Sequence, residues 1–412
     1  HDAEDRGHVQ EEDYIGVHRL VWRRDLRPRS CTGRLAFGPT VPLMHVKPGR
    51  VRRKRLSRAT GKMRAMDRRR LAAIAGALAV CVAGGALCAW LKTPLPWMIG
   101  PLAGMALFQF GGASLEAPPG GRHFGQMTIG IAIGLYFTPE VAREVLANAP
   151  ALFAAAIGVL LIGIASSLVL ERAAGTDHAT AFFSTAIGGA QEMVVLADRH
   201  AALADRVALA HSLRLLVVVT SVPVAITLLG QTGTDDYVPV AVPFDPAGIA
   251  LLAALALAAA FAWQRTRLPN PFMMGPLALA IALTVAGVEL SSIPSWLTNA
   301  AQLLLGCSLG ERFQRSFLRE APRFVAAVLA TVALMLLLCA ALAVAISWSM
   351  GVLPATILLA CAPGGIAEMA ITAKVLRVGV AFVTAAHVIR FAIVMLFTEP
   401  AYLFLSRRRG AL

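Results

Sequence analysis

The sequence reads GGAQEM at residues 188–193 and GGIAEM at residues 364–369, and both stretches lie in long apolar surroundings. Two adjacent glycines interrupt a helix easily, and each pair is followed at once by a carboxylate, Glu192 or Glu368. Non-helical backbone at membrane depth is tolerated only where it is buried in protein or lines a wet cavity. The motif therefore predicts a broken or re-entrant element in each half of a membrane protein.

The rest of the chain repeats around this motif at a nearly constant spacing. Residues 96–102, PWMIGPL, return as PFMMGPL at residues 271–277. Further matches share the spacing that separates the two Gly-Gly motifs, here called the repeat spacing: Gln126 with Gln302, Gly130 with Gly306, Gly134 with Gly310, His211 with His387, and Arg214 with Arg390. Matches in register over several segments predict an internal duplication.

Composition indicates that these repeats lie in a membrane. Of the 412 residues, 57% are hydrophobic and 15% are charged, and the mean hydropathy is +0.67, whereas soluble domains carry roughly 25% charged residues. A soluble globular protein is thereby excluded. Twelve apolar segments follow in two sets of six: 71–91, 95–114, 124–137, 147–170, 179–197 and 206–230, then 246–263, 270–288, 299–313, 324–349, 354–373 and 379–405.

Five regions follow from these segments. They are a basic tail at 1–70, repeat 1 at 71–230, a connecting loop at 231–245, repeat 2 at 246–405 and a basic end at 406–412. The tail holds 19 Lys and Arg against 8 Asp and Glu and shows no apolar periodicity, so we expect it to be largely disordered. Its position before the first span favours contact with anionic lipid over nucleic acid. Met63 and Met66 precede the first apolar run, so whether residues 1–62 belong to the native protein stays open.

The charges of the loops indicate how many segments cross the bilayer. If all twelve crossed, most basic loop residues would lie outside, against the positive-inside rule. If the Gly-Gly segment of each repeat does not cross, ten basic loop residues lie inside and four outside. We therefore predict an all-α integral membrane fold with about ten crossings in two inverted repeats, and both termini in the cytoplasm.

The duplicated polar residues are the predicted substrate and ion site. Ionisable residues inside membrane segments are mostly functional, so both glutamates are candidates for coupling or cation binding. A guanidinium can bind a carboxylate or oxyanion, which makes Arg214 and Arg390 candidates as well. An alternative stays open, in which each arginine pairs with the glutamate of its repeat. The predicted binding residues are Gly188, Gly189, Glu192, Arg214, Gly364, Gly365, Glu368 and Arg390, with His211 and His387 as candidate proton relays.

The sequence offers no evidence for a metal site or cofactor. The six cysteines are scattered without a Cys-x-x-Cys spacing, and the histidines lack partners at metal-ligand spacing. No metal, no cofactor and no catalytic residue are therefore assigned.

These motifs together resemble the bacterial membrane AbrB duplication family. The resemblance covers residues 71–405 and rests on Pro-Trp-Met-Ile-Gly-Pro, Gly-Gly-x-x-Glu-Met and the downstream His-x-x-Arg. Proteins of this family are labelled AbrB-type regulators of gene expression or ammonia monooxygenases. The resemblance implies a polytopic membrane fold and leaves both of those activities as alternatives.

From the residues themselves we expect a carrier in the bacterial inner membrane. It would move a small polar or anionic solute by alternating access, coupled to a proton or Na⁺. Regulation of gene expression and ammonia oxidation are the alternatives, and an enzyme is the less favoured reading. The expected partners are the solute and the coupling ion, and a homodimer stays open.

Overall fold

The computed structural model describes residues 52–230, 233, 243–266, 268–313 and 321–410, with side chains between Arg68 and Arg407. Within these ranges the chain is helical and contains no β-strand, which confirms the predicted all-α class. Two compact units are distinguished, His1–Thr60 and Gly61–Leu412. Of the first unit only residues 52–60 are described, and they are helical.

Eight helices make up the described first half of the chain. They are α1 (Arg52–Trp90), α2 (Pro96–Phe110), α3 (Gly121–Gly134), α4 (Pro139–Ala147), α5 (Ala149–Ala174), α6 (His178–Thr185), α7 (Ala190–Arg199) and α8 (Ala204–Leu228). Seven follow in the described second half: α9 (Pro246–Arg265), α10 (Pro271–Val285), α11 (Ser295–Gly310), α12 (Pro322–Met350), α13 (Pro354–Cys361), α14 (Ile366–Leu376) and α15 (Val380–Gly410). The first residues of α6, α7 and α8 precede those of α13, α14 and α15 by the repeat spacing.

Part of the basic tail is helical. Residues 52–70 continue helix α1 toward its N-terminus, while residues 1–51 lie outside the described residues and the disorder expected of them stays a prediction. Arg, Lys, Met and Ala are good helix formers, and a helix nucleated in the apolar run extends at little further cost. The predicted lipid contacts of the tail fall on side chains outside the described residues.

Six helices in the described chain are long and apolar enough to cross a membrane. They are the Arg68–Trp90 part of α1 together with α5, α8, α9, α12 and α15. Helices α2, α3, α10 and α11 have 14 to 16 residues, fewer than the roughly 20 that span a bilayer without tilt or thinning. The twelve apolar segments thus become six long helices, four shorter ones and two interrupted elements, while the number of crossings stays a prediction.

Helices α1–α3 and α9–α11 pack together as a first helix group. Helix α2 lies against α11, and α3 lies against both α10 and α11. These approaches are close: a Cβ atom at Gly130 would lie 2.8 Å from the Met273 carbonyl oxygen, and one at Gly306 would lie 2.5 Å from that of Met98. Gly130 and Gly134, like Gly306 and Gly310, have the spacing at which small residues let two helices approach closely, and they serve helix packing here.

Helices α5–α8 and α12–α15 pack together as a second helix group. The long helix α5 lies against α6, α12 and α15, while α12 lies against α13 and α8. The two interrupted elements, α6 with α7 and α13 with α14, belong to this group and contact the long helix that follows each of them. The two groups meet where α3 contacts α14 and α15 and where α2 contacts α8.

Candidate functional site

A cavity of about 360 Å³ lies where the two helix groups meet. The first group contributes the start of α3, the end of α9 and the start of α10, and the second contributes both interrupted elements with α8 and α15. The predicted binding residues all line this one cavity: Gly188, Gly189, Glu192 and Arg214 from the first half, and Gly364, Gly365, Glu368 and Arg390 from the second. Their positions in the sequence are far apart, and the fold brings them together.

Both Gly-Gly motifs interrupt a helix at the cavity wall. Helix α6 ends at Thr185 and α7 begins after Gly189, while α13 ends at Cys361 and α14 begins after Gly365. The N-cap glycines have extended backbones, with φ and ψ of −67° and 133° at Gly189 and of −80° and 159° at Gly365. Each break leaves the first backbone N–H groups of a new helix at the cavity, where the helix dipole favours negative charge.

The spacing from the second glycine to the glutamate has a steric reason. Glu192 and Glu368 each stand at the third position of their helix, and each carboxylate folds back toward the glycine that precedes its helix. A Cβ atom at Gly189 would overlap Glu192 Oε2, and one at Gly365 would overlap Glu368 Oε2. Only glycine leaves room for the carboxylate at the helix start.

The first glycine and the methionine of the motif also form a unit. A Cβ atom at Gly188 would lie 3.0 Å from the Met193 Cε atom, and one at Gly364 would lie 2.8 Å from the Met369 Cγ atom. Both methionine side chains are completely buried. The methionine side chain thus fills the space beside the helix break. The glycines, the glutamate and the methionine of the Gly-Gly-x-x-Glu-Met motif therefore all contribute to one local structure.

The first His-x-x-Arg motif binds the end of helix α6 from helix α8. His211 Nε2 lies 2.9 Å from the Phe183 carbonyl oxygen, and Arg214 Nη1 donates to the Ala186 carbonyl oxygen at 3.0 Å. Because a carbonyl oxygen only accepts, Nε2 carries the proton and Nδ1 accepts from Arg214 Nη2 at 2.9 Å. The pair thereby satisfies carbonyl groups that the broken helix leaves without partners.

The second motif binds the end of helix α13 in the corresponding way. His387 Nε2 lies 2.8 Å from the Leu359 carbonyl oxygen, and Arg390 Nη1 donates to the Ala362 carbonyl oxygen at 2.7 Å. The pairs differ in the remaining bond, since Arg390 Nη2 donates to the Gly364 carbonyl oxygen at 2.7 Å. His387 Nδ1 is therefore left without a hydrogen-bond partner within the described residues.

The glutamate–arginine ion pair that the sequence left open is absent from the described residues. The ion pairs found there involve neither motif glutamate. Both arginines are 4% exposed and use their terminal nitrogens on carbonyl groups or on histidine, while their Nε atoms have no partner in the described chain. Glu368 is buried and Glu192 is half-buried. Two carboxylates thus face the cavity without a direct cationic partner.

Arg122, at the start of α3, is a cavity residue that the sequence reasoning missed. Its place in the sequence is that of a loop charge, because it precedes the apolar segment that begins at residue 124. Its field acts on both Glu192 and Glu368, yet its Nη1 atom is buried and has no hydrogen-bond partner among the described residues. Arg312, which follows α11, also lines the cavity. Neither arginine meets another arginine at the repeat spacing, so the duplication gives no signal for them.

The first helix group also supplies a polar pair and an aromatic pair. Gln126 Nε2 on α3 donates to Asn270 Oδ1 at the start of α10 at 3.0 Å, so this glutamine bonds across helices. The His123 ring stacks on Phe272 with the ring centroids 4.2 Å apart. All four side chains line the cavity.

No three His, Cys, Asp or Glu side chains within the described ranges lie close enough together to hold a metal ion. The cysteines at Cys81, Cys307, Cys339 and Cys361 are buried and free. They fill apolar space between helices, as the sequence indicates.

Comparison with known proteins finds a family whose matched residue range includes the residues that line the cavity. The AbrB family model, described as transition state regulatory protein AbrB, matches residues 97–406. "Uncharacterized protein YhjN" of Bacillus subtilis (strain 168) is 28% identical over 362 residues, which cover 81% of this chain and 93% of that protein. "Putative regulator AbrB" of Escherichia coli (strain K12) is 25% identical over 310 residues, which cover 75% of this chain and 89% of that protein. All the cavity residues named above lie within the family match.

Proposed function

This chain belongs to the AbrB family, and from that premise we propose that it is a membrane carrier for a small polar or anionic solute. The observation that carries the proposal is the cavity between the two helix groups, which both interrupted elements line. In transporters, broken helices near the bilayer midplane hold substrate and coupling ions, because their ends present free backbone groups and dipoles. The proposed location is the bacterial inner membrane, with both termini in the cytoplasm.

Glu192 and Glu368 are the proposed coupling groups. Each carboxylate lines the cavity at a helix start and lacks an ion pair in the described chain, so a proton or Na⁺ can bind there. An intramembrane charge without a fixed partner is costly, and it persists where function requires it. Binding of the coupling ion would remove the negative charge and change the affinity of the cavity for an anionic solute.

Arg214 and Arg390 are proposed to position the breaks and to bind no solute directly. Their terminal nitrogens already bond to groups at the ends of α6 and α13. A proton relay at His211 would first have to displace Arg214 from Nδ1, whereas His387 has a ring nitrogen without a partner in the described chain. His387 is therefore the better relay candidate of the two.

Alternating access is proposed to arise from movement between the helix groups. Within each group the helices pack through close glycine contacts or long shared faces, whereas the groups touch at a few helix pairs around the cavity. A shift of the second group would carry both interrupted elements and their carboxylates past the residues of α3 and α10. The inverted arrangement of the repeats, if present, would give the outward and inward states related geometries.

The test is solute uptake into proteoliposomes by the wild type and by Glu192→Gln plus Glu368→Gln, under an imposed proton or Na⁺ gradient. We expect the double variant to lose gradient-driven uptake because the ion-binding carboxylates are gone. Glu140→Gln is the matched control, since that glutamate is 60% exposed on α4. Gradient-driven uptake that survives the double change at the wild-type rate would show the proposal to be wrong.

Regulation of gene expression is proposed as the second candidate, because the family description contains the words "regulatory protein" and the name of the E. coli protein contains the word "regulator". It predicts that effects of the protein on transcription survive the double glutamate change. Transcript profiles of cells carrying the wild type, the double variant or no protein distinguish the two functions.

A further inference from the structure

We propose that the cavity binds a small organic anion, a carboxylate with an apolar body, and that Arg122 provides the contact that selects its charge. The inference rests on the proposed function, since it concerns the same cavity. It goes further by naming the class of solute and a residue outside the repeated motifs.

The first argument is the charge of the cavity. Four arginines line it, Arg122, Arg214, Arg312 and Arg390, against the two motif glutamates. With all six groups ionised the cavity carries two excess positive charges, and two helix N-termini add positive potential. Excess charge in a site of low dielectric constant attracts an ion of the opposite sign strongly. A cationic solute would meet repulsion in the same place.

The second argument separates Arg122 from the two arginines of the repeated motifs. The terminal nitrogens of Arg214 and Arg390 are occupied by groups of the protein. Arg122 Nη1 is buried at the cavity and has no hydrogen-bond partner in the part of the chain that the structure describes. A buried guanidinium N–H without a partner is unfavourable, and a ligand carboxylate would satisfy it with a charge-assisted bond.

The third argument concerns the rest of the ligand. The cavity has a volume of about 360 Å³, whereas an apolar cavity of roughly 150 Å³ already holds benzene. Phe272, Phe391, Leu215 and Ile366 line it alongside the charged groups. An inorganic anion would leave these apolar surfaces in contact with water, while an organic anion would cover them. The geometry thus favours a carboxylate attached to a ring or a branched chain.

The experiment measures binding to the purified full chain in detergent by isothermal titration calorimetry. The probes are benzoate and phenylacetate, their neutral amides, and inorganic sulfate. The variants are Arg122→Gln, Arg122→Lys, and Arg143→Gln as a matched control, because Arg143 is 74% exposed on α4. Arg122→Lys retains the charge, so it reports on the site even if Arg122→Gln does not fold.

We expect a carboxylate to bind the wild type and the Arg143→Gln protein alike, and its amide to bind at least about tenfold more weakly. Arg122→Gln should weaken carboxylate binding at least about 30-fold, and Arg122→Lys by less. Equal affinity for carboxylate and amide, equal binding by wild type and Arg122→Gln, tighter binding of sulfate than of either carboxylate, or no binding of any carboxylate would each overturn the inference.

A further variant separates this inference from the proposed function. Glu368→Gln removes a negative charge beside the site, so carboxylate binding should become tighter while gradient-driven uptake is lost. If carboxylates bind as expected but no protein transports them, the anion site stands and the carrier proposal fails. If uptake is coupled but Arg122→Gln binds carboxylates normally, the carrier proposal stands and the anion site fails.

Discussion

Replacing Gly365 with alanine tests the steric account of the Gly-Gly-x-x-Glu motif. The backbone of Gly365 has a conformation that alanine adopts readily, so the change introduces no φ strain. All three of the nearest atoms to a new Cβ belong to Glu368. The steric effect of Gly365→Ala therefore depends on the position of that carboxylate.

The magnitude follows from the steric overlap. A new Cβ overlaps the carboxylate of Glu368, which is 9% exposed, and relieving an overlap in a packed interior costs about 1–3 kcal/mol. Alanine is also a poorer N-cap than glycine by about 0.5 kcal/mol or more, whereas an alanine at a compatible position stabilises by about 0.4–1 kcal/mol through the unfolded chain. The last two effects nearly cancel, so we expect Gly365→Ala to destabilise by about 1–3 kcal/mol in total.

A double-mutant cycle isolates the contact. In a Glu368→Ala background the overlapping atoms are absent, so Gly365→Ala should change stability by less than about 0.5 kcal/mol and the coupling energy should be at least about 1 kcal/mol. The assay is denaturant-induced unfolding of the four proteins in the same detergent. At Gly189 the rescue by Glu192→Ala should be incomplete, because a Cβ there also meets Phe391 Cε2 at 3.2 Å. Additive effects at Gly365 would refute the reasoning.

Two further predictions follow from the fold. Arg390→Lys retains the buried charge but cannot reach both carbonyl groups that Arg390 binds, so we expect it to destabilise the protein by about 1–3 kcal/mol. The measurement is the same unfolding assay, and an unchanged midpoint would contradict a stabilising role of these two hydrogen bonds. Single cysteines at the exposed positions Arg199 and Arg377, in a background without the six native cysteines, should react with an impermeant maleimide from opposite sides of the membrane. Labelling of both from one side would rule out inverted repeats.

The matches at the repeat spacing explain why many of the residues that line the cavity could be selected from the sequence. A glutamate or arginine in an apolar segment is conspicuous, and its return at the repeat spacing makes chance occurrence improbable. The helix breaks at Gly188 and Gly364 were predictable for the same reason, because glycine pairs rarely stand inside uninterrupted helices.

Bond partners could not be predicted in this way. The sequence leaves open a pairing of Arg214 with Glu192 by charge, because it does not show that the end of α6 lies beside α8. The free carbonyl at Ala186 accepts from the guanidinium at 3.0 Å, and Glu192 takes part in no ion pair found in the described chain. The pattern of charges along the sequence predicts which residues form a polar cluster. Their hydrogen-bond partners depend on distances that only the folded structure shows.

Many cavity residues match one another at the repeat spacing, but the specificity proposed for the cavity depends on residues without such a match. Arg122 corresponds to Thr298 at the repeat spacing, and Asn270 corresponds to Leu95 when PFMMGPL is aligned with PWMIGPL. Two equivalent helix breaks would bind either end of a solute equally well. The guanidinium of Arg122 on α3 has no equivalent at the repeat spacing, so one end of the cavity would attract a carboxylate. Exchanging the two members, as Arg122→Thr with Thr298→Arg, should therefore abolish binding of the anion in this cavity, although every repeated residue is kept.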